Sequence, residues 1–288
     1  MEFELGLTND AGLPPEAGGR VHNEDNYLVA AGGVARWRDP DQGPQSAEVV
    51  CEGVLAAVCD GMGGHERGDL ASAKAAECLR NFLRPGQPER PAEALRSHLL
   101  RAHRELHQEA VQLGLAGMGT TLTAAWVLGR SLHWVQIGDS RLYLHREGQL
   151  TQLTEDQTTN LYRLRDGLPP EEPSEALAQA FIFGSRGLGD DQNLRIELDR
   201  DTGTVELQSG DRLLLATDGA YRVLVSEDLQ DLMCMGLSAQ DTSNAIVAQA
   251  LSEGTTDNAT VLVVDILKLP ARARRSSAWQ DDEDTLIF

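Results

Sequence analysis

Four carboxylates, Asp60, Asp139, Asp218 and Asp257, each stand where an apolar, strand-like run meets a tight turn, three as Asp-Gly or Gly-Asp pairs and the fourth as Asp-Asn. Any one of them alone reads as turn chemistry, because glycine accepts positive φ and aspartate hydrogen-bonds its own backbone. Their recurrence at strand ends far apart in sequence points instead to a fold that gathers them. Two unpaired carboxylates ~4 Å apart repel by about 1 kcal/mol in water and about 4 kcal/mol at a protein-like effective dielectric, so such a cluster needs cations or shifted pKa values. An all-oxygen set with no thiolate or evident imidazole selects Mg²⁺, Mn²⁺ or Ca²⁺ over zinc or copper. Dispersal of the acids over about 200 residues, with no DxDxDG loop, argues against a local calcium loop. Two hard cations sharing an aspartate can lower the pKa of a bridging water and aim it at a phosphoryl group. A phosphate also needs a holder, and Arg20, with Glu24 and Asp25 close behind in RVHNEDN, offers a planar fork suited to it. The competing reading of Arg20 is a surface ion pair with one of those acids.

The elements that must position these residues follow from the pattern of apolar runs. Residues 53 to 59, GVLAAVC, are too short for a helix and read as a buried strand ending at Asp60, followed by the Gly-rich loop DGMGGHERGD. Helical spacing of Leu70, Ala73, Ala76, Leu79 and Leu83 predicts a helix over about 69 to 83, broken by RPGQPERP. A second helix is expected over 92 to 113, with Leu95, Leu99, Leu106 and Leu113 on one face; His98, His103 and His107 among its charged positions read as solvated surface. TLTAAWVLG, SLHWVQIG, RLYLHR and QLTQLT then read as a β-meander, with Asp139 between its second and third strands. The polar, Pro-containing stretch from about 154 to 190 is an excursion from the sheet of the kind that covers a site. Strands TVELQ and RLLLAT deliver Asp218-Gly219; Ser226 is a candidate N-cap for a helix over 227 to 235, a further helix covers about 241 to 252 before Gly254, and ATVLVVDIL begins directly after Asp257-Asn258. Blocks of strands alternating with pairs of helices imply an α+β fold of antiparallel sheets covered by helices, not a doubly wound parallel one.

The 288 residues, 41% of them hydrophobic, suffice for one large core, and neither an internal repeat nor a long linker demands two domains. A formal net charge of −20 argues against nucleic acid or an anionic membrane as partner. Cys51, Cys59, Cys78 and Cys234 lack metal-ligand spacing, and the first twenty residues lack a basic segment followed by an apolar run, which together fit a reducing cytoplasm. No stretch approaches the ~18 to 20 apolar residues of a membrane helix.

Six ordered blocks, RVHNED (20–25), VCDGMGGH (58–65), GMGTTLTA (117–124), IGDSRLYL (137–144), LLLATDGAY (213–221) and DNATVLVV (257–264), resemble the metal-dependent protein serine/threonine phosphatases of the PPM, or type 2C, family in its bacterial form. The resemblance spans about residues 1 to 267, and it is the order and spacing of the six that make it specific. It implies a four-layer α/β/β/α sandwich of two stacked antiparallel sheets flanked by helix pairs. It also implies two Mn²⁺ or Mg²⁺ ions with a weaker third, and direct in-line attack of a water bridging the two on phosphoserine or phosphothreonine. Residue by residue, Asp60 would bridge the metals and the carbonyl of Gly61 would ligate one of them. Asp218 and Asp257 would complete the first shell, Glu24 would serve the second metal, and Asp25 would support the site from behind. Arg20 would bind the phosphate, and Asp139 with Asp218 would hold the third metal. Implied partners are phosphorylated proteins and a cognate serine/threonine kinase, with the enzyme a cytoplasmic monomer.

The departures matter as much. Met62 stands where animal members place a proposed general acid, leaving protonation of the leaving group without a residue; His65 in the same loop is a candidate for packing or support. The segment 154 to 190 corresponds to the family's flap but lacks the His-Pro pair usual in bacterial members. The stretch 268 to 288, KLPARARRSSAWQDDEDTLIF, has no counterpart in the minimal catalytic domain and reads as a disordered tail, with Thr285 as a possible docking residue. A phosphoprotein-binding pseudophosphatase would be expected to lack one of Asp60, Asp218 or Asp257, and all three are present. A partner-switching regulator with one dedicated phosphoprotein target would share the chemistry and differ only in target.

Overall fold

The computed structural model describes residues 1–62, 67–86, 88–115, 117–171, 176–185, 194–197 and 200–271. Along the chain run β1 (Glu2–Asp10), β2 (Asn26–Ala31), β3 (Val34–Asp39), β4 (Gly43–Glu48), β5 (Val54–Cys59), β6 (Gly61–Met62), α1 (Gly68–Phe82), α2 (Pro91–Gln112), β7 (Gly119–Thr120), β8 (Leu122–Leu128), β9 (Ser131–Ile137), β10 (Arg141–Arg146) and β11 (Gln149–Gln152). They are followed by α3 (Thr159–Arg165), β12 (Gln179–Ala180), β13 (Gly184–Ser185), β14 (Thr202–Glu206), β15 (Arg212–Ala216), α4 (Asp218–Tyr221), α5 (Ser226–Cys234), α6 (Ala239–Ser252) and β16 (Ala259–Lys268).

The strands form two large antiparallel sheets, one of five strands in the order β1-β16-β15-β10-β11 and one of seven in the order β14-β9-β8-β5-β2-β3-β4. Why the central strands read as unbroken apolar runs is clear from their two faces. In β5, Val54, Ala56 and Val58 face the five-stranded sheet, where they meet Leu213, Leu215, Leu262 and Val264. Leu55, Ala57 and Cys59 face the other way, against Leu79 of α1 and Leu95 and Leu99 of α2. On the far side of the five-stranded sheet, Leu214, Val261 and Val263 pack under Leu229 of α5 and Ile246 and Val247 of α6. A strand buried on both faces cannot alternate polar and apolar residues. The result is the four-layer α/β/β/α sandwich expected from the sequence.

Several sequence readings need correction. The four strands from β8 to β11 do not form one meander: β9 pairs with β8 and β14, whereas β10 pairs with β11 and β15 in the other sheet. The chain therefore changes sheets between Ile137 and Arg141, at Asp139. The α2 histidines are not solvated surface. His103 is buried and its Nδ1 accepts the N–H of Ile182 at 3.1 Å, His107 Nδ1 lies 2.8 Å from the Ile182 carbonyl, and His98 Nε2 lies 2.9 Å from the carbonyl of Cys78. Ser226 is the first residue of α5, not its cap; Val225 precedes it and makes no side-chain cap. Ser238 does cap α6, accepting the N–H of Asp241. No helix among the described residues is long and apolar enough to cross a membrane.

Candidate active site

The acids gather at one end of the sandwich because antiparallel pairing sets the start of one strand beside the end of its neighbour. In the seven-stranded sheet, Asn26 at the start of β2 pairs with Cys59 at the end of β5, which puts Glu24 and Asp25 beside Asp60. In the five-stranded sheet, Ala216 at the end of β15 pairs with Val261 near the start of β16, which brings Asp218 beside Asp257 and Asn258. Asp25 joins the two sheets. Its Oδ2 accepts from Thr217 Oγ1 at 2.8 Å and from Thr260 Oγ1 at 2.7 Å, both in the opposite sheet. Asn258 adds a second link, accepting the N–H of Glu24 at 2.8 Å and donating to the Ala11 carbonyl at 2.9 Å.

Asp60 is fixed through its backbone. Its N–H donates to Thr121 Oγ1 at 2.9 Å, and its carbonyl accepts from Thr121 N–H and Thr120 Oγ1, each at 2.9 Å. The next residue, Gly61, donates to the Glu24 carbonyl at 3.2 Å, and a Cβ there would lie 2.2 Å from the Gly68 carbonyl oxygen and 2.5 Å from that of Glu24. Three chain segments thus meet at a point that admits no side chain. Gly61→Ala is expected to destabilise the protein by roughly 1–3 kcal/mol or more, since backbone on both sides must move, and to weaken activity with it. Urea unfolding alongside phosphatase assay checks both.

Asp139 is positioned by the change of sheet. Gly138 takes φ +94°, and a Cβ there would strike the Thr121 side chain at 2.7 Å. Ser140 then bonds Thr121 Oγ1 at 2.6 Å, and Tyr221 donates to the Asp139 carbonyl at 3.0 Å.

Two arginines counter the acids. Arg20, half-exposed, grips Asp257 with both prongs, Nε to Oδ1 at 2.8 Å and Nη2 to Oδ2 at 2.7 Å. Arg222 contacts Asp218 Oδ2 at 2.9 Å and Asp139 Oδ2 at 3.3 Å. The remaining field is strongly anionic, and the carboxyls respond. Burial raises Asp139 to about 7, with Asp218 adding to the rise and Arg222 opposing it. Burial likewise lifts Asp60, helped by Asp218, Asp25, Asp139 and Asp257. It lifts Asp25 despite its two threonine donors, and Asp218 despite Arg222. Glu24 rises through burial, opposed by Arg20.

The residues present suit a hard cation. Oδ1 of Asp218 and Oδ1 of Asp25 are buried and meet no N–H or O–H donor, which is costly for a carboxylate oxygen unless a cation or a shared proton satisfies it. Asp60 lies near enough to Asp218 to share a proton with it. Every donor is oxygen, as Mg²⁺ and Mn²⁺ require. Among the described residues, though, no three His, Cys, Asp or Glu side chains form a ready-made cage. Asp257 is turned to Arg20, and Asp218 and Asp139 share Arg222.

Of the residues singled out from sequence, the structure brings together Arg20, Glu24, Asp25, Asp60, Gly61, Asp218 and Asp257, with Asp139 joined through Arg222. His65 lies outside the described residues. Sequence reasoning missed Asn258, Thr217, Thr260 and Arg222. The first three adjoin a strand-end aspartate or face it across one strand pair, a signal that was available; Arg222 lies four residues after Asp218, which matters only if a helical turn intervenes.

The comparisons with known proteins agree with this fold. A family model described as Protein phosphatase 2C matches residues 45–254. The chain belongs to the protein phosphatase 2C family. Among its relatives is the serine/threonine phosphatase stp of Listeria welshimeri, 32% identical over 251 residues that cover 85% of this chain and 91% of the relative. The protein phosphatase PhpP of Streptococcus pneumoniae is 32% identical over 216 residues, 74% of this chain and 85% of the relative. Among solved structures, the Mycobacterium tuberculosis serine/threonine phosphatase PstP/Ppp superposes with a TM-score of 0.70 at 27% identity, covering 92% of this chain and 99% of that one. The catalytic domain of PstP in complex with 2 manganese ions matches equally well, with a TM-score of 0.70. As a 2C-family member the chain is an enzyme, a serine/threonine protein phosphatase acting on phosphorylated proteins.

Proposed function

We propose that this phosphatase hydrolyses phosphoserine and phosphothreonine at the acidic cluster, with two Mn²⁺ or Mg²⁺ ions held by Asp60, the Gly61 carbonyl, Asp218, Asp257 and Glu24. The observation that carries the reading is Arg20, a half-exposed guanidinium held by Asp257 beside a cluster of carboxylates of which Asp25, Asp139 and Asp218 are buried. Bound there, hard divalent cations would neutralise the acids and lower the pKa of a water between them. The protein's own residues do the rest. Asp257 occupies Nε and Nη2 of Arg20 and so aims the fork, leaving Nη1 toward an arriving phosphate. Asp25 holds the two sheets in register so that acids from both reach one point. Positioning and charge neutralisation account for most of the rate in such a site.

The test is hydrolysis of a phosphothreonine peptide with Mn²⁺ or Mg²⁺, with and without EDTA; turnover that survives EDTA would overturn it. Arg20→Ala is expected to raise KM for that peptide roughly tenfold to a hundredfold while lowering kcat less, the mark of lost phosphate binding. Steady-state kinetics at saturating Mn²⁺ separates the two.

The catalytic domain in this reading is the sandwich, residues 1–267, with a tail from 268 to 288. Packing continues slightly past that boundary, since Leu269 donates to Ser209 Oγ at 3.2 Å and the Pro270 carbonyl accepts from Arg130 at 3.0 Å. The tail from 272 onward lies outside the described residues. A cytoplasmic monomer opposing a serine/threonine kinase completes the proposal.

A further inference from the structure

Arg222 occupies a position where charge logic would otherwise call for a metal. It follows the single turn of α4, so its guanidinium returns to the carboxylate four residues earlier. From there it spans two acids on different elements, Asp218 after β15 and Asp139 at the sheet crossing, at 2.9 and 3.3 Å. Asp139 and Asp218 are only 4% and 8% exposed. The arginine comes from outside, its side chain 39% exposed. Its neighbouring acids are already paired. Beside it is a cavity of about 230 Å³ whose charged lining residues are Asp139, Asp156, Arg141 and Arg222. Arg141 grips Asp156 with both prongs, at 2.9 and 2.7 Å, and lies 3.8 Å over the Tyr221 ring, so Asp156 is committed and not available to an incoming cation. Asp139, Asp156 and Asp218 set against Arg141 and Arg222 leave a single net negative charge there, a weak attraction for a divalent ion that must also displace Arg222.

We propose that Arg222 is a built-in substitute for the third divalent cation, so that the phosphatase binds two ions and Asp139 is an ion-pair partner instead of a metal ligand. A tethered guanidinium cannot dissociate, and an ion entering between Asp139 and Asp218 would have to displace it from the Oδ2 atoms it holds on both, whereas Asp218 Oδ1, which it does not hold, stays available to the two-metal site. The inference rests on the proposed dinuclear reading.

The experiment is a count of bound Mn²⁺ by the electron paramagnetic resonance signal of the free ion, titrated into the full chain at neutral pH. Unaltered protein is expected to bind two ions. Arg222→Ala is expected to bind one more, and Arg222→Ala with Asp139→Asn to lose that extra ion again. Arg222→Gln, which keeps most of the side-chain bulk, serves if the alanine variant fails to fold. No gained ion in a folded Arg222 variant overturns the inference, as do three ions on the unaltered chain. Fewer than two ions on the unaltered chain, with one still gained on removing Arg222, supports Arg222 as the substitute and overturns the dinuclear reading instead.

Discussion

Asp218→Asn is expected to lower kcat on a phosphothreonine peptide by a thousandfold or more while raising the melting temperature of the metal-free protein. The two effects share one cause. Asp218 Oδ1 is buried with no donor, next to Asp60 and within the field of Asp257, so its charge is uncompensated except through Arg222. Asparagine keeps the shape, removes a like charge from the cluster and can donate to Asp60, all of which favour the metal-free fold. The same charge is what a divalent ion needs, and loss of one carboxylate from the set removes several kcal/mol of the stabilisation such a site provides. A thousandfold corresponds to about 4 kcal/mol. Peptide hydrolysis in Mn²⁺ and thermal unfolding in EDTA read the two arms. Full activity in Asp218→Asn would remove this residue from the site, and a lowered melting temperature in EDTA would show that its charge stabilises the fold.

The metal-free protein is also expected to lose stability as pH rises from 5 to 8, the reverse of the ordinary carboxylate contribution. Asp139 is raised to about 7 in the folded chain from an ordinary 3.8, so the folded state holds its proton where the unfolded state has released it. Its contribution is complete below pH ~4 and is lost progressively as pH climbs through about 7. At 1.36 kcal/mol per unit, this one group accounts for up to about 4 kcal/mol over its whole range and about 2.6 kcal/mol between pH 5 and 8, or roughly 5–10 °C in melting temperature for a chain of this size. Asp25, Asp60, Asp218 and Glu24 are shifted in the same direction and deepen the trend. Mn²⁺ added at pH 8 should recover much of the loss, because ligand at a hundred times its dissociation constant adds about 2.7 kcal/mol per site. Scanning calorimetry in EDTA between pH 5 and 8, then with Mn²⁺, decides it. A flat or rising profile in EDTA would mean that the acids are not crowded in the way their burial implies.

What could be read from sequence, and what could not, follows from the range of the forces involved. Each of the four aspartates was legible because a strand buried on both faces is a continuous apolar run, and a carboxylate at its end marks where burial stops. The layer order followed, since apolar helices in pairs must cover apolar sheets. The jump between sheets at Gly138 and Asp139 was not legible, because IGDSR has the composition of an ordinary hairpin turn and only long-range pairing sends β10 to another partner. His103 was misjudged for a related reason: its neighbours on α2 are charged, and the backbone of Ile182 that it bonds lies 79 residues away. Arg222 was hidden by the four-residue α4, too short to show any periodicity.

The stitch at Asp25 has a wider meaning. Two sheets in contact through Val, Leu and Ala side chains have no directional preference along their shared plane, and many small offsets would bury nearly the same area. One carboxylate oxygen accepting from Thr217 and Thr260 selects a single offset, at the end of the stack where the acids gather. Alignment is thereby set where misalignment would do most harm, and the far ends of both sheets are left to tolerate change in sequence without disturbing it.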